Sequence, residues 1–329
     1  MRIVKAFSAL LAVASVVTST ALAGLGPYGD WRAAQPVEGT ETDEPSFNGA
    51  FLDGCPFISR DGKTFFMASR RPTSAADLRN DINIWVSTRT KQGDDWGAPV
   101  LVGPPVSIDT TDPDPAVAEI NDFCPTLARD GHAFYFVSNR DGYCGTTRND
   151  DMYATRWRND DRGFDPVERL GCDVNTTANE ASPFPLPQDG SGPVLYFSST
   201  LTGAGDLYYS RWIDGSFQGR ELVPGVNTPS VEGQPNVRRD GLEIFFFSNR
   251  AGANGNDIYA ATRASTSDAW SLPVNLGTDV NGPSATPQSS ETRPSLSWDG
   301  TKLYFGSNRS PGGGLNSDHY VTTRAPVAP

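Results

Sequence analysis

Histidine is scarce in this sequence, which has only His132 and His319 among 329 residues. Two isolated histidines provide neither the spaced ligand set of a zinc site nor the arrangement of a catalytic triad. A G-x-S-x-G motif and a phosphate-binding P-loop are also absent. The sequence therefore carries none of the local motifs that mark the common hydrolases and nucleotide-binding proteins.

Positive charge is in deficit, because 27 lysines and arginines face 39 aspartates and glutamates and give a net charge of −12. Proteins that bind nucleic acid neutralise its phosphates with clustered lysine and arginine, and no such cluster is visible. We therefore expect no nucleic-acid partner. The acidity favours a solvated surface, and it is also compatible with cation binding.

Long apolar runs are missing outside the N-terminus. Residues 1–23 combine Arg2 and Lys5 with an apolar stretch and the small-residue sequence Ala21-Leu22-Ala23. This pattern is typical of a secretory signal peptide rather than a spanning helix, which would need about 20 apolar residues. We expect a mature chain from Gly24 with no membrane span, secreted or periplasmic and monomeric.

Cysteine is limited to four positions, Cys55, Cys124, Cys144 and Cys172. An even number of cysteines in an exported chain predicts two disulfides, and four cysteines allow three pairings. The composition alone does not choose among them, and the repeats described next supply the preference.

Five segments share one pattern, in which a proline, a short stretch and an Asp-Gly pair precede an aromatic-rich run ending in serine. Asp-Gly between two apolar runs is a strong hairpin signal, because glycine tolerates a positive φ at the turn. A third run follows in every repeat, and a fourth run marked by an aromatic residue follows in four of them. The segments begin at Cys55, Cys124, Ser182, Gln234 and Arg293, and the turns at Asp61, Asp130, Asp189, Asp240 and Asp299.

Four short strands repeated every 50–70 residues or so predict an all-β, five-bladed β-propeller of four-stranded antiparallel blades. The last repeat stops after its third strand, at Arg324. The missing strand is found in residues 28–37, which contain Trp31. We predict one domain over residues 24–329, with blade cores beginning near residues 53, 122, 180, 232 and 291. Residues 28–37 then complete blade five and hide the sheet edges.

The repeats resemble the WD40-like propeller repeats of the TolB type, which contain Asp-Gly, then Ser-Asn-Arg, then an Asp-Ile-Tyr run. Ser138-Asn139-Arg140, Ser248-Asn249-Arg250 and Ser307-Asn308-Arg309 match the middle signature. Ser69-Arg70-Arg71 matches it loosely, and Ser198-Ser199-Thr200 has lost the arginine. The resemblance covers nearly all of the mature chain and implies a periplasmic or cell-envelope interaction scaffold. It does not by itself supply a function.

One acidic residue lies three positions before the proline of every repeat. Because the first strand of a blade lines the central channel, we expect these acids to form a ring at one mouth of it. Each acid would pair with a signature arginine in a structural clasp. A hard cation such as Ca²⁺ or a pair of acids acting as glycosidase residues are the alternatives. The acids are Asp53, Asp122, Glu180, Glu232 and Glu291, and the arginines are Arg140, Arg250 and Arg309, with Arg70 or Arg71 in blade one.

The repeat alignment favours the disulfides Cys55–Cys124 and Cys144–Cys172, because Cys55 and Cys124 occupy the same position in blades one and two. All four cysteines should lie on the face of the acidic ring. A second acidic set precedes the third strands and is interpreted as turn-capping. It comprises Asp151, Asp206, Asp257 and Asp318, with Asn83 in blade one.

The sequence favours a non-enzymatic binding propeller whose partner is a protein segment or a glycan. Ligands tend to contact loops held by a rigid scaffold, and the candidate loops are Arg70–Asp81, Asp141–Asp150 and Ala251–Asn256. The alternative is a glycan-active hydrolase that uses two ring carboxylates. We expect no cofactor other than a possible Ca²⁺ ion.

Overall fold

The fold is a ring of five four-stranded antiparallel sheets, in a computed structural model of the chain. The structure describes residues 28–37, 47–49, 51–74, 77, 80–108, 119–141, 144, 148–158, 163–190, 192–253, 255–282, 289–309 and 317–327. The predicted signal peptide, residues 1–23, lies outside the described residues. Within these ranges no helix has the length and apolar character of a membrane span.

The strands follow the repeats in chain order, and the five-bladed all-β prediction is confirmed. Strand β1 is Gln35–Pro36, and blade one contains β2 (Asp53–Ile58), β3 (Thr64–Ser69), β4 (Asn83–Thr88) and β5 (Val100–Leu101). Blade two contains β6 (Asp122–Leu127), β7 (Ala133–Ser138) and β8 (Asp151–Arg158), and its fourth strand is divided into β9 (Gly163–Phe164) and β10 (Glu168–Arg169), which both pair with β8. Blade three contains β11 (Glu180–Asp189), β12 (Gly192–Ser199), β13 (Asp206–Ile213) and β14 (Ser216–Leu222).

Blade four and blade five complete the ring. Blade four contains β15 (Glu232–Val237), β16 (Glu243–Ser248), β17 (Asp257–Thr262) and β18 (Val274–Asn275), followed by the single helical turn α1 (Thr278–Asn281). Blade five contains β19 (Glu291–Leu296), β20 (Lys302–Ser307) and β21 (Asp318–Thr323). The predicted closure is confirmed, because β1 pairs with β21 through Gln35–Val321 and Pro36–Tyr320.

The Asp-Gly pairs lie at the turns between the first and second strands, and all five glycines have φ between 67° and 75°. This left-handed conformation explains why glycine occupies the position. The turns define one face of the propeller, here called the hairpin face. The opposite face, where the inner strands begin at the five ring acids, is called the acid face.

The hydrophobic core is divided into sectors between neighbouring blades. The sector between blades three and four, for example, packs Leu186 and Tyr196 against Ile244 and Phe246. Similar clusters join blades four and five, five and one, one and two, and two and three. Each blade therefore buries its apolar side chains against its two neighbours, as expected for a radial repeat.

Candidate functional site

The five ring acids open the inner strands of the five blades. The backbone N–H of each acid donates a hydrogen bond to a carbonyl of the preceding blade, at 2.7 to 2.9 Å. These bonds connect all five blades, and Asp53 N–H to Ser317 O links blade one to blade five. The other four bonds are Asp122 to Ile82, Glu180 to Asp150, Glu232 to Gly205 and Glu291 to Asn256.

The side chains of the acids also make hydrogen bonds and ion pairs within the fold. Glu232 accepts hydrogen bonds from the Thr228 N–H (2.8 Å), the Thr228 hydroxyl (2.7 Å) and the Ser248 hydroxyl (2.7 Å). The Arg250 guanidinium lies 3.1 Å from the same carboxylate and also donates to the Val226 carbonyl. All five acids are fully buried. Each carboxylate thus joins the second strand of its own blade, the loop before it, or both.

The signature arginines pair with these acids in four blades. In blade one the sequence offers both Arg70 and Arg71 as the partner of Asp53, and the structure selects Arg71. Arg71, not Arg70, lies 2.9 Å from Asp53, whereas Arg70 donates to the Asn80 carbonyl. The reason is the register of the strands. The serine opposite Asp53 is Ser69, and the arginine of the clasp is the residue two positions after that serine. Arg140 lies 2.7 Å from Asp122 and Arg309 lies 3.1 Å from Glu291.

Blade three has no arginine at this position, and its acid is satisfied differently. Ser199 rather than Ser198 lies opposite Glu180, so that Leu201 takes the place of the arginine. Glu180 accepts from the Thr176 N–H and hydroxyl, both at 2.7 Å, and from the Ser199 hydroxyl at 2.6 Å. Both carboxylate oxygens of Glu180 therefore have hydrogen-bond partners without an arginine.

Burial affects the ionisation of the ring acids. It raises the pKa of Asp53, Asp122 and Glu180. The paired arginines oppose this shift in Asp53 and Asp122, and hydroxyl groups that donate hydrogen bonds oppose it in all three acids. Burial raises the pKa of Glu291 to about 7, although Arg309 and Ser307 oppose it. One oxygen of Glu291, Oε2, has no hydrogen-bond partner in the described chain. Among the five ring acids, only Glu291 has a carboxylate oxygen that no described residue hydrogen-bonds.

A second repeated position, which the sequence analysis missed, reinforces the same junctions. A buried or half-buried asparagine or serine lies in the loop before each inner strand and accepts a hydrogen bond from a backbone N–H of the preceding blade. The signal in the sequence is an apolar residue followed by Asn or Ser shortly before each ring acid. The residues are Asn48, Ser107, Asn175, Asn227 and Asn281.

The second acidic set lies directly beside the ring, at the start of the third strands. Asp206 accepts from the Thr202 hydroxyl, Asp257 from Asn275 (2.7 Å), and Asp151 lies 3.8 Å from Arg169. Burial raises the pKa of Asp151 to about 6 against the effect of Arg169. In the described part of the chain, no group of three or more His, Cys, Asp or Glu side chains is arranged to hold a metal ion.

The narrow part of the central channel is a collar of five residues that follow the ring acids by two positions. All five have positive φ, between 48° and 60°, although none is glycine. The collar coincides with an irregularity in the pairing of the first two strands in every blade. Such bulges re-aim side chains. The collar residues are Cys55, Cys124, Ser182, Gln234 and Arg293.

The channel widens toward the hairpin face into a cavity of about 850 Å³. Its wall combines aromatic side chains, including Phe57, Phe184 and Trp298, with arginines. Phe57 and Phe184 also border the collar, so the cavity and the channel are continuous. None of the five ring acids is among the described residues that line either space. The structure therefore differs from the expectation that these acids line a channel mouth.

The cysteines pair as the repeat alignment favours. Cys55 is bonded to Cys124 within the collar and joins blades one and two. Cys144 is bonded to Cys172, which connects two loops of the acid face. The described residues of the candidate loops Arg70–Asp81, Asp141–Asp150 and Ala251–Asn256 lie on the same face. Residues 75–76, 78–79, 142–143, 145–147 and 254 of these loops fall outside the described residues.

The two histidines are not arranged for chemistry. His132 is half-buried, and its Nδ1 lies 3.1 Å from the Trp157 carbonyl. His319 is fully buried against Phe47 and Phe65. Burial lowers the pKa of His319 to about 3, with smaller contributions from Arg71 and Arg293, so the ring is neutral.

Comparison with solved structures identifies the fold. A thermostable family-43 glycoside hydrolase matches with a TM-score of 0.54 at 12% identity, over 84% of this chain and 89% of that one. The α-L-arabinofuranosidase PaAbf62A from Podospora anserina, in complex with cellotriose, also gives 0.54 at 12% identity, over 91% and 98%. At such identities the likeness defines a five-bladed propeller and nothing finer.

TolB from Acinetobacter baumannii also matches, with a TM-score of 0.47 at 14% identity, over 84% of this chain and 55% of that one. Neither a protein family nor a curated protein gives a match to the sequence. The class of protein is thus a five-bladed β-propeller with two disulfides. The resemblance to repeats of the TolB type agrees with this at the level of the propeller.

Proposed function

We propose that this protein is an exported, non-catalytic binding propeller that holds a glycan in the hairpin-face cavity. The observation that supports it is the separation of the acids from the cavity. The ring acids, which the sequence offers as candidate glycosidase residues, are buried in the clasp, whereas the cavity is lined mainly by aromatic and cationic side chains.

The size and the wall of the cavity favour a compact ligand over a flat protein surface. Ligand pockets typically enclose about 300–1,000 Å³ and combine aromatic walls with a few polar groups. The 850 Å³ cavity falls within this range. Its only described acids, Asp61 and Asp130, accept hydrogen bonds from backbone N–H groups of their own turns. Both acids are therefore engaged in their turns, which disfavours them as the acid and base pair of a glycoside hydrolase.

Export is supported by the chain itself. Two disulfides are typical of proteins that function in oxidising compartments. Residues 1–23 carry the features of a secretory signal peptide. A secreted or periplasmic location would bring the cavity into contact with envelope or environmental polysaccharides.

The test is a substitution that fills the cavity. Gly103 lies in its wall, has no positive φ, and a Cβ atom added there meets nothing within 4 Å. We expect Gly103→Trp to weaken glycan binding at least tenfold without lowering the melting temperature. Gly171→Trp is the matched control, because Gly171 is equally open, is exposed and lies outside the cavity. Calorimetric titration against a glycan panel is the measurement.

Two results would count against this function. Equal binding by wild type and Gly103→Trp would place the ligand elsewhere, on the acid-face loops for example. Release of reducing sugar from a polysaccharide, lost in Glu232→Gln or Asp122→Asn at unchanged stability, would instead establish the hydrolase.

A further inference from the structure

We propose that the hairpin-face cavity selects an acidic glycan, whose carboxylate or sulfate group is bound by Arg60, Arg129 and Arg239 around Trp298. This inference rests on the proposed function and adds the charge of the ligand. It concerns residues that the sequence analysis did not single out.

Three guanidinium groups converge on one indole ring. The guanidinium carbons of Arg60, Arg129 and Arg239 lie 4.8, 5.1 and 5.8 Å from the centroid of Trp298. The four residues come from four different blades, and each immediately precedes an Asp-Gly turn. In blade three the same position is Gln188. Closure of the ring brings these turns together around the channel axis.

The three arginines form no ion pair within the described chain. Neither an ion pair nor a hydrogen bond connects their side chains to any described residue, and all three are exposed. Their neighbour Arg238, in contrast, lies 2.9 Å from Asp240 and 2.8 Å from Glu243. Cation–π contact with Trp298 holds the guanidinium groups in place and leaves their N–H groups without acceptors in the described chain. In a chain of net charge −12, this cluster is a local positive site.

A fourth arginine lies at the other end of the same space. Arg293 belongs to the collar, and its Nε is buried without a hydrogen-bond partner among the described residues. Burial lowers the pKa of Arg293 to about 10, which still leaves it charged at neutral pH. Because Phe57, Phe184 and Asn236 border both the collar and the cavity, Arg293 and the Trp298 cluster lie along one axis. The described wall of the cavity carries more arginines than acids, which are Asp61 and Asp130, and an excess of one sign of charge attracts the opposite sign.

The remaining wall favours a sugar over a bare inorganic anion. The 850 Å³ space is much larger than one sulfate or phosphate, and Phe57, Trp157, Phe164 and Phe184 line it. Aromatic side chains pack against the apolar faces of ligand rings, while arginine binds carboxylate and sulfate oxygens through paired N–H groups. A sugar ring that carries an acidic group satisfies both requirements.

The experiment compares acidic and neutral forms of the same sugars. Uronic-acid and sulfated oligosaccharides are titrated into the mature chain, each alongside its methyl-esterified or desulfated equivalent. We expect an acidic member to bind, its neutral equivalent to bind at least tenfold more weakly, and affinity to fall as salt rises. Arg60→Gln, Arg129→Gln and Arg239→Gln should each weaken binding, and the triple variant should lose it at an unchanged melting temperature. Arg32→Gln, an exposed arginine outside the cavity, is the control.

The outcomes separate this inference from the proposed function. Equal binding of acidic and neutral sugars, blocked by Gly103→Trp but not by the triple variant, would overturn the inference and keep the glycan-binding function. Unchanged affinity of the triple variant for an acidic sugar would also overturn it. If no sugar binds and an acidic peptide does, both proposals fail.

Discussion

Arg70 and Arg71 are neighbours in sequence, but their guanidinium groups have different environments. Arg71 contacts the Asp53 carboxylate (2.9 Å), the Ser69 hydroxyl (2.9 Å) and the Phe47 carbonyl (3.1 Å). Arg70 donates one hydrogen bond, to the Asn80 carbonyl. The pair therefore offers an internal control for the clasp.

We expect Arg71→Gln to lower the free energy of unfolding by about 3 kcal/mol, because removal of one partner leaves Asp53 buried without its counter-charge. Arg70→Gln should cost less than about 1 kcal/mol, as surface substitutions usually do. Chemical denaturation of both variants gives the comparison. Equal losses would show that the ion pair is not what stabilises this junction.

Glu291 should make stability depend on pH. Its pKa is raised to about 7 by burial, against the ordinary value of 4.5. Between these values the folded state binds more protons than the unfolded state, so the free energy of unfolding falls as pH rises from about 4.5 to about 7. The full effect is at most about 3 kcal/mol.

Glu291→Gln removes this titration. Compared with Glu291→Gln, the wild type should lose stability between pH 5 and pH 8, as measured by urea unfolding at each pH. Glu168→Gln, at an exposed glutamate, should follow the wild-type profile. Parallel profiles for the wild type and Glu291→Gln would mean that Arg309 keeps the carboxylate ionised throughout.

Strand β1 is short, and the contacts of Trp31 hold it in blade five. Trp31 is buried against Phe245, and the Arg324 guanidinium lies 4.4 Å from its ring centroid. Arg324 in turn makes two 2.7 Å hydrogen bonds to Glu243 of blade four. The closing strand, the last strand of the chain and the neighbouring blade are thus connected by one cluster.

Trp31→Ala should therefore destabilise the whole ring. We expect a loss of about 3–5 kcal/mol, as for other buried aromatic truncations. Trp212→Ala is the control, because 46% of the Trp212 surface is exposed, and it should cost less than about 1 kcal/mol. A loss no greater than that of the control would show that closure does not depend on Trp31.

At the level of elements, the sequence allowed a close prediction of the fold. The Asp-Gly pairs indicated every hairpin because glycine is needed at a left-handed position, and Gly62 and Gly241 illustrate it. The last repeat, which stops after its third strand, and the segment 28–37 with Trp31 indicated the closing strand. Side-chain direction along the inner strands could not be predicted in the same way. Alternation assumes a regular strand, but residues such as Gln234 adopt positive φ and interrupt it, so Glu232 is buried instead of facing the channel.

For the whole molecule, the separation of stability and binding is the main feature. Hydrogen bonds of the acid-face clasp join all five blades, whereas the unpaired arginines lie on the hairpin face. The Trp298 cluster was not predictable from sequence. The residue just before the Asp-Gly pair differs in type among the five repeats, which have Arg60, Arg129, Gln188, Arg239 and Trp298 there. Only closure of the ring brings them together.

The most direct test measures unfolding free energy and glycan affinity for the same two variants, Glu232→Gln and Arg129→Gln. The account predicts that Glu232→Gln loses about 3 kcal/mol of stability, because the half-buried Arg250 loses its ion-pair partner, and that it binds the acidic sugar as the wild type does. Arg129→Gln should keep its stability and bind at least tenfold more weakly. The reverse result, with binding or sugar release lost in a stable Glu232→Gln and unchanged in Arg129→Gln, would contradict the account.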